Sequence, residues 1–419
     1  MKKLNKLVAI LVALAMMMAL AVTSAFALDD AKKATTLADA VLTKTFQTPA
    51  GVKAPSANFN FKFEKATGTN ADTPDVGVQT IHFDAKDAGG EQVGYKNLGE
   101  IFTITGEDNK IALPHAGTYI YTVTENDDKA TANASTWEKA GSATDQEAIN
   151  FSKASYTLRI YVVNGETAGT LAIQAVTVEK VLNDNGTSNT DTGDAKKVPP
   201  TKPAGDNTKS GWEYKNVYSK TITPPEGDTN GAFNVQKVVD GKNADKTTQF
   251  NFKGKLTIPD TMKKNEAQVF TASYPTGKTA TFTVPANSTE SNEEVFKLAN
   301  GEKLVFATFP AGATFTVTEE LQNQTNIQYN TRYTKSAALK EGSSTPITNT
   351  SAAEGVDYTA VIGAINEQDA LTVTNKLADK EVEPEGILIS NLPYIALALV
   401  AIGGLVAYVV VRRRNADEA

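Results

Sequence analysis

The sequence predicts an all-β fold: two tandem β-sandwich domains between an N-terminal signal peptide and a C-terminal transmembrane helix. Three observations predict it. Through the middle of the chain, short β-rich runs alternate with Gly, Asn, Asp and Pro punctuation, and long helical periodicity is scarce. Two motifs recur in one order, FNFK at 59–62 and 250–253 and VTE at 123–125 and 317–319, which indicates a duplicated unit. Both ends carry apolar runs of the kind that target and anchor a chain.

Residues 1–27 combine lysines at 2, 3 and 6, an apolar run from Leu7 to Val22 and the small-x-small site Ala25-Phe26-Ala27. They read as a secretory signal peptide, with the mature chain starting near Leu28. The first sandwich is expected over 28–220 and the second over 221–379, with strands such as SYTLRIYVV (155–163, turning at Asn164-Gly165) and TATFTVP (279–285). The first unit carries an extra segment, 183–211, rich in Asn, Asp, Thr, Pro and Lys, expected to be a long exposed loop outside the core. After a linker at 380–391, the apolar run Leu392 to Val411 is long enough to span a bilayer. Arg412-Arg413-Arg414 opens a tail, 412–419, that positive charge holds on the cytoplasmic side.

Charge and composition exclude several function classes. The whole chain carries −7; without the three leader lysines and the net single positive charge of 386–419 it carries −11. An acidic exterior argues against nucleic acid and anionic lipid as partners. With no cysteine and only His82 and His115, thiol catalysis, thiolate metal sites, multi-histidine zinc sites and a Ser-His-Asp hydrolase are all disfavoured. No metal or other cofactor is expected. The run NDNG at 183–186 lacks the ligand spacing of a calcium loop and reads as a polar turn.

Polar residues on inward strand faces are the most informative feature. In TYIYTVTEN (118–126) the alternation that buries Tyr119, Tyr121 and Val123 also turns Glu125 inward. In VLTKTF (41–46), Lys44 shares a face with Leu42 and Phe46. In GWEYKNVYS (211–219), Asn216 shares one with Trp212, Tyr214 and Tyr218. The second unit repeats the trio as Lys237, Glu319 and Asn375, with Glu320 taking the place of Glu319 if the strand phase is shifted by one. Burial lowers the pKa of a lysine and raises that of a glutamic acid, so the amine becomes a nucleophile and the acid keeps its proton. The acid is expected to hydrogen-bond the asparagine carboxamide, make its carbon more electrophilic and relay protons. Attack of the amine then expels ammonia and leaves a neutral isopeptide bond, Lys44–Asn216 or Lys237–Asn375. The competing reading of each trio is an ordinary buried salt bridge whose asparagine completes the hydrogen bonds.

From about Lys44 onward, with GTYIYTVTEN, NVQKVV (234–239) and VTNK (373–376), the chain resembles a Gram-positive, streptococcal-type major pilin. The resemblance implies two immunoglobulin-like domains, each holding a self-formed Lys–Asn isopeptide bond promoted by a Glu. KEVEPEG (380–386), the apolar span and the arginines resemble a cell-wall sorting signal, with Glu383, Pro384, Glu385 and Gly386 as the motif and Glu385–Gly386 as the scissile bond. The sequence departs from the family pattern, in which Thr is usual at the position of Glu385 and Leu or Val at that of Glu383. The resemblance also implies Lys209, seven residues before Asn216, as the acceptor amine for the next subunit, with Lys196, Lys197 and Lys202 as the other lysines of that loop.

The implied function is a non-enzymatic pilus shaft subunit on the surface of a Gram-positive bacterium. Its precursor sits in the plasma membrane, and its partners are a sortase, neighbouring subunits and peptidoglycan. The runner-up is a wall-anchored adhesin that presents the same domains to a host or matrix ligand. A secreted enzyme is poorly supported, because no convergent set of surface catalytic residues stands out.

Overall fold

The computed structural model describes residues 32–106, 109–129, 133–205, 207–320, 330–335, 358–362 and 369–377. They form β-sandwiches in which period-two strands bury one row of side chains. Gly117–Glu125 buries Tyr119, Tyr121, Val123 and Glu125 and turns its threonines outward. Phe250–Thr257 alternates in the same way. Each fully buried aromatic or aliphatic side chain contributes about 1.5–3 kcal/mol. Among the described residues no helix is long and apolar enough to cross a membrane.

In the first sandwich, Val41–Thr48 lies between Glu213–Ile222 and Gly90–Asn97. The facing sheet runs Lys197–Val198, Leu171–Leu182, Ser155–Asn164, Gly117–Glu125, Ala57–Lys65 and Gln79–Phe83. In the second sandwich, Phe233–Asp240 lies between Lys303–Phe306 and Asp369–Lys376, and the facing sheet runs Glu290–Leu298, Phe250–Thr257, Thr314–Glu320 and Tyr358–Ile362. Most neighbours are antiparallel. Val41–Thr48 and Glu213–Ile222 are parallel, and so are Phe233–Asp240 and Asp369–Lys376. In each unit, therefore, an early strand and a late strand lie side by side pointing the same way.

The polar segment 183–211 differs from the expectation of an exposed loop. It holds a 3-10 turn at Gly193–Lys196, and its Lys197–Val198 strand pairs with Leu171–Leu182. Pro200 and Ser210 are buried. Ser210 Oγ donates to the carbonyl of Val41 (2.7 Å), and Ser210 N–H donates to Thr43 Oγ1 (3.1 Å). The segment thus covers the outer face of the Val41–Thr48 strand, whose Thr43 and Thr45 are buried although they point away from the core. Hydroxyl and backbone partners make this possible without an apolar sequence.

The Glu213–Ile222 strand continues toward the second unit and pairs Thr221 with Pro310 and Ile222 with Phe309. At this junction Lys220 and Asp145, 2% and 3% exposed, form an ion pair at 3.1 Å. Asp145 also accepts backbone N–H bonds from Ser142 (2.9 Å) and Thr223 (3.1 Å). Neither residue stood out in the sequence. Removing one partner of a buried pair typically costs about 3–5 kcal/mol. Because Asp145 keeps its backbone donors, Lys220→Met is expected at the lower end, about 3 kcal/mol, seen as a reduced denaturant midpoint. An unchanged midpoint would show that the pair contributes nothing net.

Candidate functional site

The parallel strand pairs place both trios. Lys44 lies opposite Tyr214, with Asn216 two residues further on; Lys237 lies opposite Val373, with Asn375 two residues further on. A two-residue offset keeps the side chains on one face, and a lysine is long enough to reach across to the next strand. The glutamates come from the facing sheet. There Glu125 is opposite Phe61, and Glu319 is opposite Phe252. The repeated FNFK is therefore the strand next to each glutamate. Its phenylalanines roof the amines, with Lys44 Nζ 4.5 Å from the Phe59 ring centre and Lys237 Nζ 4.3 Å from that of Phe250.

All six side chains are buried. Lys44 Nζ donates to Glu125 Oε2 at 2.7 Å, and Asn216 Nδ2 donates to Glu125 Oε1 at 2.6 Å. Lys237 Nζ lies 3.0 Å from both oxygens of Glu319, and Asn375 Nδ2 donates to Glu319 Oε1 at 2.6 Å. The neighbouring Glu320 faces outward and pairs with Lys253 at 2.5 Å. Desolvation dominates the electrostatics. It lowers both lysines to about 8, against the opposing pull of the partner glutamates, and it raises both glutamates. Each pair is driven toward neutral amine and neutral acid.

The glutamate meets the amide nitrogen, not the carbonyl oxygen. In the first trio the amide orientation is fixed by Ser152, whose backbone N–H points at Asn216 Oδ1 (2.7 Å) and can only be met by an acceptor. Each carboxyl thus bridges two nitrogens: the amine that would attack and the amide nitrogen that would leave.

Lys209 is neither fully exposed nor unattached, contrary to the expectation of a mobile loop lysine. Its Nζ lies 2.9 Å from Glu91 and 3.1 Å from Glu213, with the side chain 27% exposed. Partial desolvation pulls its pKa down, but the hydrogen bonds to the two carboxylates outweigh this, and the net shift is upward. Thr45 Oγ1 donates to the same Glu213 carboxylate. Lys209 therefore sits on the outer face of the sheet whose inner face carries Lys44 and Asn216. Lys202 lies over the Tyr95 ring at 4.1 Å; Lys196 and Lys197 are half-buried. The signal peptide, the motif Glu383, Pro384, Glu385 and Gly386, and the apolar span 392–411 lie outside the described residues. Among the described residues no group of three or more His, Asp or Glu is arranged to hold a metal ion.

Residues 231–377 match a family described as a domain of unknown function (DUF7601). No curated protein matches the chain. Among solved structures, the chain is similar to the major pilin from Streptococcus pyogenes, at 17% identity over 80% of this chain and 98% of that one, with a TM-score of 0.27. A second major pilin of that organism, T3.2, is 17% identical over 81% and 99%, also with a TM-score of 0.27. An adhesin from Mobiluncus mulieris, described as containing intramolecular disulfide, isopeptide and ester bond cross-links, is 9% identical over 77% and 85%, with a TM-score of 0.20. The chain is thus similar to solved structures of bacterial pilins and adhesins.

Proposed function

We propose that this protein is the structural shaft subunit of a sortase-assembled surface filament, and that each sandwich is closed by a self-formed isopeptide bond. The observation that supports it is the repetition of one constellation: a buried Lys and Asn offset by two residues on parallel neighbours, bridged by a Glu from the opposite sheet. A simple salt bridge would need no asparagine at that register twice. In the reaction, the neutral Lys Nζ attacks Asn Cγ and the Cγ–Nδ2 bond breaks. One amine proton passes through the carboxyl to the leaving nitrogen, which departs as ammonia, and the other stays on the new amide. The glutamate ends as it began. The net change is amine plus carboxamide to amide plus ammonia, and the core no longer holds an amine whose charged form is costly to bury.

In the filament, a sortase would cleave Glu385–Gly386 and transfer the Glu385 acyl group to Lys209 of the next subunit. Donor and acceptor lie on different parts of the chain, so the contact would be head-to-tail, the kind that builds an open filament where the rotation between subunits does not close a ring. The mature protein is expected to weigh two ammonia molecules less than its sequence. Glu125→Ala and Glu319→Ala should each restore one. A mass equal to the sequence mass would eliminate both internal bonds.

A further inference from the structure

The turn at 183–186, unassigned by the reading above, reaches into the first trio. Asp184 Oδ1 accepts Ser152 Oγ–H (2.5 Å) and the backbone N–H of Lys215 (3.0 Å), and its carbonyl accepts the N–H of Lys153 (3.0 Å). Ser152 Oγ in turn accepts the N–H of Ala154 (3.2 Å). The Asp184 side chain thus ties the Ser152 hydroxyl to the residue just before Asn216, while the Asp184 backbone carbonyl holds the Lys153 N–H. The consequence is the buried bond from Ser152 N–H to Asn216 Oδ1 at 2.7 Å. In the second trio, no described residue donates to Asn375 Oδ1.

When an amine attacks a carboxamide, negative charge collects on the carbonyl oxygen. A fixed N–H aimed there, in a buried site, stabilises the tetrahedral intermediate with little reorganisation. The glutamate cannot do this, because both its oxygens face nitrogens. Resting on the isopeptide reading, we propose that the Ser152 backbone N–H is the oxyanion donor for the Lys44–Asn216 reaction and that Asp184 is the residue that positions it.

The sign of the competing effect makes the inference testable. Asp184 is among the charges that hold the Lys44 pKa up, so removing it favours the neutral, attacking amine. Any slowing in Asp184→Ala must then come from lost positioning. The full chain is made in a short synthesis pulse, quenched at intervals and digested, and the linked Lys44–Asn216 and Lys237–Asn375 peptides are quantified by mass spectrometry. Loss of an oxyanion donor outright slows enzymes about 100- to 1000-fold; loss of its positioning is expected to slow the first linkage by about tenfold or more. The second linkage, in the same molecule, should keep its rate. Ser152→Ala, which keeps the N–H but loses the tie, should slow the first linkage in the same way, and Asp184→Asn, which keeps an acceptor at Oδ1, should largely restore it. Equal first-linkage rates in wild type and both alanine variants would overturn the inference and leave the bonds intact. Both linkages slowing together would place the effect in folding and also overturn it. A wild-type chain with neither linked peptide would overturn the isopeptide reading itself.

Discussion

Asn375→Ala is expected to destabilise the second sandwich by about 5 kcal/mol and lower its melting temperature by about 10–20 °C. The variant removes the carbon that is attacked but keeps the Lys237–Glu319 pair, so it avoids the separate cost of an orphaned buried carboxyl that Lys237→Ala would add. The magnitude comes from chain entropy. A link between residues 237 and 375 closes a loop of 138 residues and removes the corresponding loop-closure entropy from the unfolded unit. Mechanics should change more than thermodynamics. The two strands are parallel neighbours, so tension entering along Phe233–Asp240 and leaving along Asp369–Lys376 would pass through the proposed bond and bypass the chain between. The variant should therefore extend through the second unit under loads at which the wild type does not. Calorimetry and single-molecule pulling check the two halves. An unchanged melting temperature with unchanged extension would remove the structural role assigned to the bond.

Lys209→Arg is expected to abolish high-mass ladders on denaturing gels of cell-wall extract from a sortase-bearing host. Arginine keeps the charge that meets Glu91 and Glu213 but provides no primary amine. Both internal linkages should still form, because Lys209 is on the opposite side of the sheet from the trio. Its ion pairs would give the proposed acceptor a definite place at some cost in reactivity: the amine would have to leave two carboxylates and lose a proton before attacking. Ladders that persist in Lys209→Arg would move the acceptor to Lys196, Lys197 or Lys202. Persistence with all four replaced would remove this segment from the mechanism. A wild-type chain that runs as one band would favour the adhesin reading.

The features legible in the residues alone were local. Period-two alternation is a property of a single strand, so the inward direction of Lys44, Glu125, Asn216, Lys237 and Asn375 could be read from neighbouring residues. Duplication was legible for the same reason, because FNFK and VTE are contiguous strings. Strand pairing was different. Lys44 and Asn216 are 172 residues apart, and only the tertiary structure made their strands parallel neighbours with a two-residue offset. It also separated Glu319 from Glu320, since a one-residue phase is set by the partner strand and the core. Ser152 was invisible because its contribution is a backbone N–H, which every residue but proline has, brought to the asparagine by a chain reversal. Asp184 looked like a turn residue because it is one; its reach to Ser152 and Lys215 depends on where that turn docks. The polar run around Lys209 looked unstructured because composition reports the absence of an apolar face. Its order comes from hydrogen bonds and ion pairs with strands distant in sequence, and such partners exist only once the sheet has formed.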